Sequence, residues 1–156
     1  MRKLITSGMF VMGMVSLPVS ISLSQTRPSP PDYRDDPRLT RLRNFFSKAD
    51  CPAAKYSEAF LEAADAYALD WRLLPSLSFV ESTGGKSARN NNLFGWDSGR
   101  AHFPNPIAGI HAVGYRLANS VLYKDKKLDS LLATYNPSLE YVQKVKSVMR
   151  RISPSE

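Results

Sequence analysis

The sequence predicts a mostly α-helical domain, and three observations support this. Apolar residues recur three or four positions apart along much of residues 37–152, which is the spacing of one face of a helix. Asp36-Pro37 and Asn105-Pro106 each pair a capping side chain with a proline suited to the first helical turn. Alternation of apolar and polar residues, which is typical of strands, is scarce. A chain of 156 residues then suggests one domain with extensions.

The N-terminal block differs in composition from the rest. Residues 1–24 begin with the basic Met-Arg-Lys and continue as an uncharged, largely apolar run, which predicts a signal peptide and an exported protein. A membrane anchor is the alternative, although the run is short and broken by Ser, Gly and Pro. Residues 25–45 follow as a Pro-rich, charged linker and the start of a helix, and we place the folded domain at residues 46–152.

Each later element follows from spacing, caps and breakers. Pro75 requires that its helix begin within one turn before it, Gly84 and Gly85 stop that helix, and Ser138 caps the last one. Between Lys86 and Asn105 the chain is rich in Asn, Gly and aromatics, which predicts an irregular loop or a short hairpin. The predicted helices are residues 38–49, 58–69, 71–82, 106–123, 128–135 and 139–152. In the helices over residues 106–123 and 139–152, the apolar spacing predicts that the following residues face the core: Ile107, Ile110, Val113, Leu117, Val121, Tyr141, Val145, Val148 and Ile152. We expect Tyr123 to be structural.

Charge and cysteine content narrow the function classes. The formal charge is +7, and +5 without the two cations of residues 1–24, which favours polyanionic partners at a cell envelope. The cations are not interleaved with aromatics, so we expect no nucleic-acid binding. Cys51 is the one cysteine, so no internal disulfide can form. Because Cys51, His102 and His111 are the only cysteine and histidine ligands in the sequence, we expect no zinc site. We expect no metal, no cofactor and a monomer.

Glu81 is the residue that most needs an explanation. It follows Leu74 and Leu77 on the apolar stripe of the helix over residues 71–82. An acid removed from water favours its protonated form, and a protonated acid beside a groove can give a proton to a leaving oxygen. A structural role, with the carboxylate bound to backbone N–H groups of the following turn, explains the position equally well.

Three segments in order resemble the lysozyme-like superfamily. "LLPSLSFVESTGGKS" resembles its catalytic-helix signature, "NNNLFGW" is similar to the Asn-Leu-Phe-Gly segment of bacterial cell-wall N-acetylglucosaminidases, and "LLATYNPSLEYVQKV" resembles the end of lytic transglycosylase domains. The resemblance covers roughly residues 46–152. It implies a lysozyme-like helical domain in which Glu81 is the proton donor and Tyr135, with Asn136 beside it, lies close to that acid.

The resemblance also implies a substrate and a groove. We expect a secreted glycoside hydrolase, N-acetylglucosaminidase-like, that cuts the β-1,4 glycan strands of peptidoglycan in the periplasm or cell wall of a bacterium. A lytic transglycosylase and a non-catalytic peptidoglycan-binding module are the alternatives. The expected groove residues are Ser82, Asn92, Phe94, Trp96 and Asn136.

A standard glycosidase needs a second carboxylate. The acid in the loop region that follows Glu81 is Asp97, although Asp-Ser-Gly is also turn chemistry. The motifs depart from the transglycosylase pattern, with Leu-Phe-Gly after the acid and Thr134 before Tyr135. This mixture leaves hydrolysis and transglycosylation both open.

Overall fold

The protein is described by a computed structural model that covers residues 31–154. Within this range the chain forms six α-helices, a single 3-10 helix at Pro52–Tyr56 and no β-strand, so the prediction of a mostly α fold is confirmed. The α-helices are Pro37–Lys48 (α1), Ser57–Ala66 (α2), Leu73–Ser82 (α3), Pro106–Asn119 (α4), Leu128–Tyr135 (α5) and Leu139–Ile152 (α6). None of these helices is long and apolar enough to cross a membrane. The predicted signal peptide lies outside the described residues.

The core forms around α3. This helix packs against α6 on one side and α2 on another, and α2 also packs against α4. Leu74 and Leu77 of α3 are fully buried. Phe60 of α2 stacks with Phe46 of α1 at 5.7 Å between ring centroids and meets Phe94 edge-on at 6.4 Å. The buried rings tie α1, α2 and the loop after α3 into one apolar cluster.

The packed body begins earlier than the predicted start at residue 46. Tyr33 is 2% exposed and its hydroxyl donates to Asp65 at 3.0 Å. Arg38 also binds Asp65, with N–O distances of 2.8 and 2.9 Å, and Leu39 lies in the core. The described part of the predicted linker is therefore anchored to α2 by a hydrogen-bonded network.

The helix α4 is shorter than predicted. It ends at Asn119, and Ser120 is extended with ψ 145°, whereas the apolar pattern predicts helix to Tyr123. Val121, predicted to face inward, is 92% exposed, and Ile107 is 46% exposed. Asn, Ser and Val are weak helix formers, so the end of the helix follows local preference here and the apolar pattern does not decide it.

A left-handed turn ends α3 and fixes where its last side chains point. The C-cap residue Thr83 has φ +52° and Gly84 has φ +57°. A Cβ on Gly84 would lie 2.8 Å from Cβ of Cys51, so a glycine is needed for this close approach. Cys51 is buried, which raises the pKa of its thiol, and it packs as a small apolar residue.

Candidate active site

Glu81 lies in the last turn of α3 and is half-buried. Its side chain lines an open cleft of about 310 Å³ together with Val80, Asn136, Ser138, Glu140, Tyr141 and Lys144. The apolar stripe predicts a core position for Glu81, but Leu74 and Leu77 are the residues of that stripe that are fully buried. The helix ends immediately after Glu81, so this carboxylate reaches the surface at the edge of the core.

Tyr141 of α6 holds the carboxylate of Glu81. Its hydroxyl donates to Oε1 of Glu81 at 2.6 Å, a short distance typical of a bond to a carboxylate. Burial raises the pKa of the Tyr141 hydroxyl, and the hydrogen bond and charge of Glu81 raise it further. Tyr141 therefore stays a neutral phenol over the ordinary pH range and keeps its proton for this bond.

The backbone of Gly95 lies beside the other carboxylate oxygen. A Cβ placed on Gly95 would lie 2.7 Å from Oε2 of Glu81, and this glycine has φ +58°. Both the close approach and the left-handed backbone select glycine. Gly95 belongs to the segment that resembles Asn-Leu-Phe-Gly, so this loop and α6 fix Glu81 from two sides.

Tyr135 stands beside Glu81 without bonding to it. Its hydroxyl donates to the backbone oxygen of Phe94 at 2.6 Å, and its ring stacks on Tyr141 at 6.1 Å with an interplanar angle of 7°. Burial and the charge of Glu81 raise the pKa of the Tyr135 hydroxyl. The hydrogen bond to Glu81 is made by Tyr141, and Tyr135 stacks on the ring of Tyr141.

A second cleft continues from Tyr135 and is aromatic. It measures about 480 Å³, and Trp96, Tyr123 and Tyr135 line it, with ring centroids 5.7 to 6.5 Å apart. The guanidinium of Arg116 lies 5.5 Å from the Trp96 ring centre. Trp96, a predicted groove residue, therefore lines this cleft and not the cleft of Glu81. Tyr123 was expected to be structural, and its ring also forms part of this wall.

Asn92 organises the loop rather than the groove. It is 3% exposed, its Nδ2 donates to the oxygen of Trp96, and its Oδ1 accepts from the backbone N–H groups of Phe94 and Trp96. All of these bonds lie within the loop that carries Gly95. The predicted contact of Asn92 with a sugar is thus replaced by a structural role, because its side chain is buried and bound to the loop backbone.

Ser82 and Phe94 are also interior residues. Ser82 is 4% exposed; its hydroxyl is within hydrogen-bond distance of the oxygens of Ser78 and Leu93 and accepts from the N–H of Gly85. Phe94 is fully buried. Both side chains are buried, so the structure places them in the interior and not in the predicted groove.

The candidate second acids differ in position. Asp97, which has φ +54°, is an exposed turn residue that lines the aromatic cleft and is paired with Arg100 at 2.8 Å. Glu140 lines the cleft of Glu81 itself. Glu140 was not predicted as a site residue, although it lies within the segment "LLATYNPSLEYVQKV", because nothing in its spacing places it near Glu81. Only the packing of α6 on α3 brings these two carboxylates to one cleft.

Asn136 lies in the same cleft, as predicted. It is half-buried, and its Oδ1 accepts from the N–H of Ser138 at 3.0 Å. Its amide nitrogen has no hydrogen bond to any residue in 31–154, which leaves a donor for a ligand. Within that range the structure contains no group of three or more His, Cys, Asp and Glu side chains arranged to hold a metal ion.

No family model, curated protein or solved structure matches the chain. The site consists of one carboxylate fixed by a phenol, a neighbouring amide donor and an aromatic wall.

Proposed function

We propose that the protein is a glycosidase that cleaves the β-1,4 glycan backbone of bacterial peptidoglycan, with Glu81 as the general acid. The observation that carries the proposal is the fixed carboxylate. Glu81 is held by Tyr141 at 2.6 Å, packed under Gly95 and open to a cleft. A general acid must be placed within hydrogen-bond reach of the leaving oxygen, and a fixed side chain at a cleft meets this requirement.

The two oxygens of Glu81 have different partners, which suggests where the catalytic proton resides. Oε1 accepts from Tyr141, so the proton of the neutral acid is carried on Oε2. Proton transfer to the glycosidic oxygen then leaves a carboxylate that the Tyr141 hydroxyl stabilises through a charge-assisted bond. The same bond keeps the side chain in one orientation through the reaction.

The aromatic wall suits a sugar. Trp96 and Tyr123 line the second cleft, and aromatic rings present flat apolar faces with polar edges, which match the face of a pyranose ring. The free amide nitrogen of Asn136 lies in the cleft of Glu81 and is suited to bind the acetamido oxygen of an N-acetylated sugar. Glycan chains of this kind are the backbone of peptidoglycan.

Hydrolysis is favoured by the position of Glu140. It lines the cleft of Glu81 and is exposed, so it is able to activate a water molecule, as the second carboxylate of an inverting hydrolase does. Asp97 is less suited because it pairs with Arg100. A lytic transglycosylase, in which the sugar's own 6-hydroxyl attacks, would need Glu81 alone.

The fragment ends distinguish these reactions. Purified protein is incubated with insoluble peptidoglycan, and the soluble products are analysed by mass spectrometry before and after borohydride reduction. The proposal predicts fragments with reducing ends, which gain two hydrogens on reduction. Anhydro ends that resist reduction would establish the transglycosylase. Binding to the sediment without any soluble fragment, across a broad range of pH, would support a non-catalytic binding module.

A further inference from the structure

A basic groove extends from the cleft of Glu81 towards α1. Val80 and Lys144 line both that cleft and the next one along α6, which we call the middle cleft. Arg151 lines the middle cleft and a further cleft of about 580 Å³ between α1 and α6, which we call the α1 cleft. Neighbouring clefts share lining residues, so the three clefts form one row along α6. We call it the α6 groove; its cations are Lys144, Arg151, Arg41 and Lys48.

The charge of the α6 groove is of one sign beyond Glu81 and Glu140. No acidic residue in the described chain lines its middle cleft or its α1 cleft. Lys144, Arg151 and Lys48 are exposed, and none of them forms an ion pair with an acid in residues 31–154. Clustered cations without acidic neighbours concentrate anions, and the effect is stronger in a cleft than on an open surface.

Arg151 is held in position at the middle of the groove. Its guanidinium lies 5.5 Å from the ring centre of Phe45 and 5.4 Å from that of Phe79, which are cation–π contacts. No side chain or backbone group of residues 31–154 accepts a hydrogen bond from it. Its donors are therefore presented to the groove in a fixed orientation, and a guanidinium suits a carboxylate bidentately.

Apolar groups alternate with these cations. Phe79, Val80 and Val148 line the middle cleft, and Phe45 and Ile152 line the α1 cleft. A ligand that carried charge alone would leave these surfaces unused. A short peptide with free carboxylates and aliphatic side chains uses both features of the groove.

We propose that the α6 groove binds the acidic peptide attached to the glycan strand, so that the protein acts on peptide-substituted strands in preference to bare glycan. The inference rests on the proposed function, because it takes the strand to lie in the cleft of Glu81. A peptide branching from a sugar at that cleft enters the groove at Lys144 and reaches Arg151. The carboxylates pair with the cations, while the aliphatic side chains cover Phe79 and Val148.

The first experiment measures peptide binding without any cleavage. A synthetic acidic pentapeptide with free side-chain and C-terminal carboxylates is titrated into the protein, with binding followed by NMR, beside the same peptide with every carboxylate amidated. We expect amidation to weaken binding at least tenfold. Arg151→Gln and Lys48→Gln should each weaken binding of the acidic peptide severalfold. Arg43→Gln, an exposed α1 position that does not line the groove, should leave it unchanged.

The outcomes separate this inference from the proposed function. Equal binding of the acidic and amidated peptides, or of wild type and both groove variants with melting temperatures unchanged, overturns the inference. So does binding of inorganic polyphosphate at the same residues with no binding of the acidic peptide. The second experiment compares digestion of intact peptidoglycan with strands whose peptides have been removed by an amidase. Peptide binding without cleavage of either glycan would refute the glycosidase and leave the peptide site intact.

Discussion

The hydroxyl of Tyr141, in the first turn of α6, donates to Oε1 of Glu81, in the last turn of α3, at 2.6 Å. This bond joins two helices that pack against each other at the centre of the molecule. Because Tyr141 is 9% exposed, little water competes for its hydroxyl. The position of the carboxylate therefore depends on how α6 packs against α3.

Removing the hydroxyl should impair activity more than stability. In Tyr141→Phe, Glu81 loses its partner on Oε1 and becomes free to rotate, and we expect a roughly 10- to 100-fold loss of kcat, because misplacement by about 1 Å costs this much. Fragment release from peptidoglycan measures the effect. Tyr115→Phe is the control, since Tyr115 is 57% exposed. Undiminished release by Tyr141→Phe would show that the bond does not position the acid.

The same tyrosine should make the protein less stable at alkaline pH. The pKa of the Tyr141 hydroxyl is raised in the folded state by burial, by its bond to Glu81 and by the charge of Glu81, while in the unfolded chain the pKa is about 10. Above pH 10 the unfolded state releases this proton first, so the free energy of unfolding falls as pH rises. Below pH 10 the full contribution is present.

Urea unfolding of wild type and Tyr141→Phe between pH 8 and 11 isolates this contribution, because the other groups titrate in both proteins. The wild-type advantage should be constant up to about pH 10 and shrink above it. An advantage that grows with pH would mean that the hydroxyl is easier to ionise in the folded state than in the unfolded chain.

Gly95 should be required for the position of Glu81, and a second glycine provides the comparison. Gly95 and Gly99 both have positive φ, but a Cβ on Gly95 meets Oε2 of Glu81 at 2.7 Å and a Cβ on Gly99 meets nothing within 4 Å. Each change to alanine should cost about 1–2 kcal/mol of stability from the backbone alone. Only Gly95→Ala should abolish fragment release, and equal loss in both variants would contradict the steric argument.

Asn92 should matter for stability because three backbone groups of the loop depend on it. Asn92→Ala leaves them without their partner, and we expect a loss of at least about 2 kcal/mol in the free energy of unfolding. Asn119→Ala is the comparison, since Asn119 is exposed and bonds only within α4. A change below about 0.5 kcal/mol for Asn92→Ala would show that water replaces the side chain without cost.

The helices were predictable from the sequence wherever caps and apolar spacing agreed. Asn105 and Ser138 cap α4 and α6 as expected, and the predicted inward residues of α6 are buried. The end of α4 was not predictable from its apolar pattern, because Val121 continues the spacing but is exposed. A pattern records which residues are apolar and does not record where the chain turns away from the core.

The site was predictable in part. Glu81 and Trp96 stood out because an acid on an apolar stripe and an aromatic in a polar loop are locally unusual. Ser82 and Asn92 carry the polar groups that a sugar would need, but their hydrogen bonds are to nearby backbone, which the spacing alone does not reveal. Tyr141 was predicted to face inward, but its bond to Glu81 depends on the packing of two helices far apart in sequence.

The most direct test of the central claim is release of soluble fragments from purified peptidoglycan by wild type, Glu81→Gln and Glu58→Gln, each with its folding checked by thermal melting. Glu58 is an exposed acid of α2 and controls for the loss of one charge. A glutamine at position 81 still accepts from Tyr141 and has no acid proton to give. The account predicts reducing-end fragments from wild type and Glu58→Gln and none from folded Glu81→Gln. Equal release by folded Glu81→Gln and wild type would contradict it.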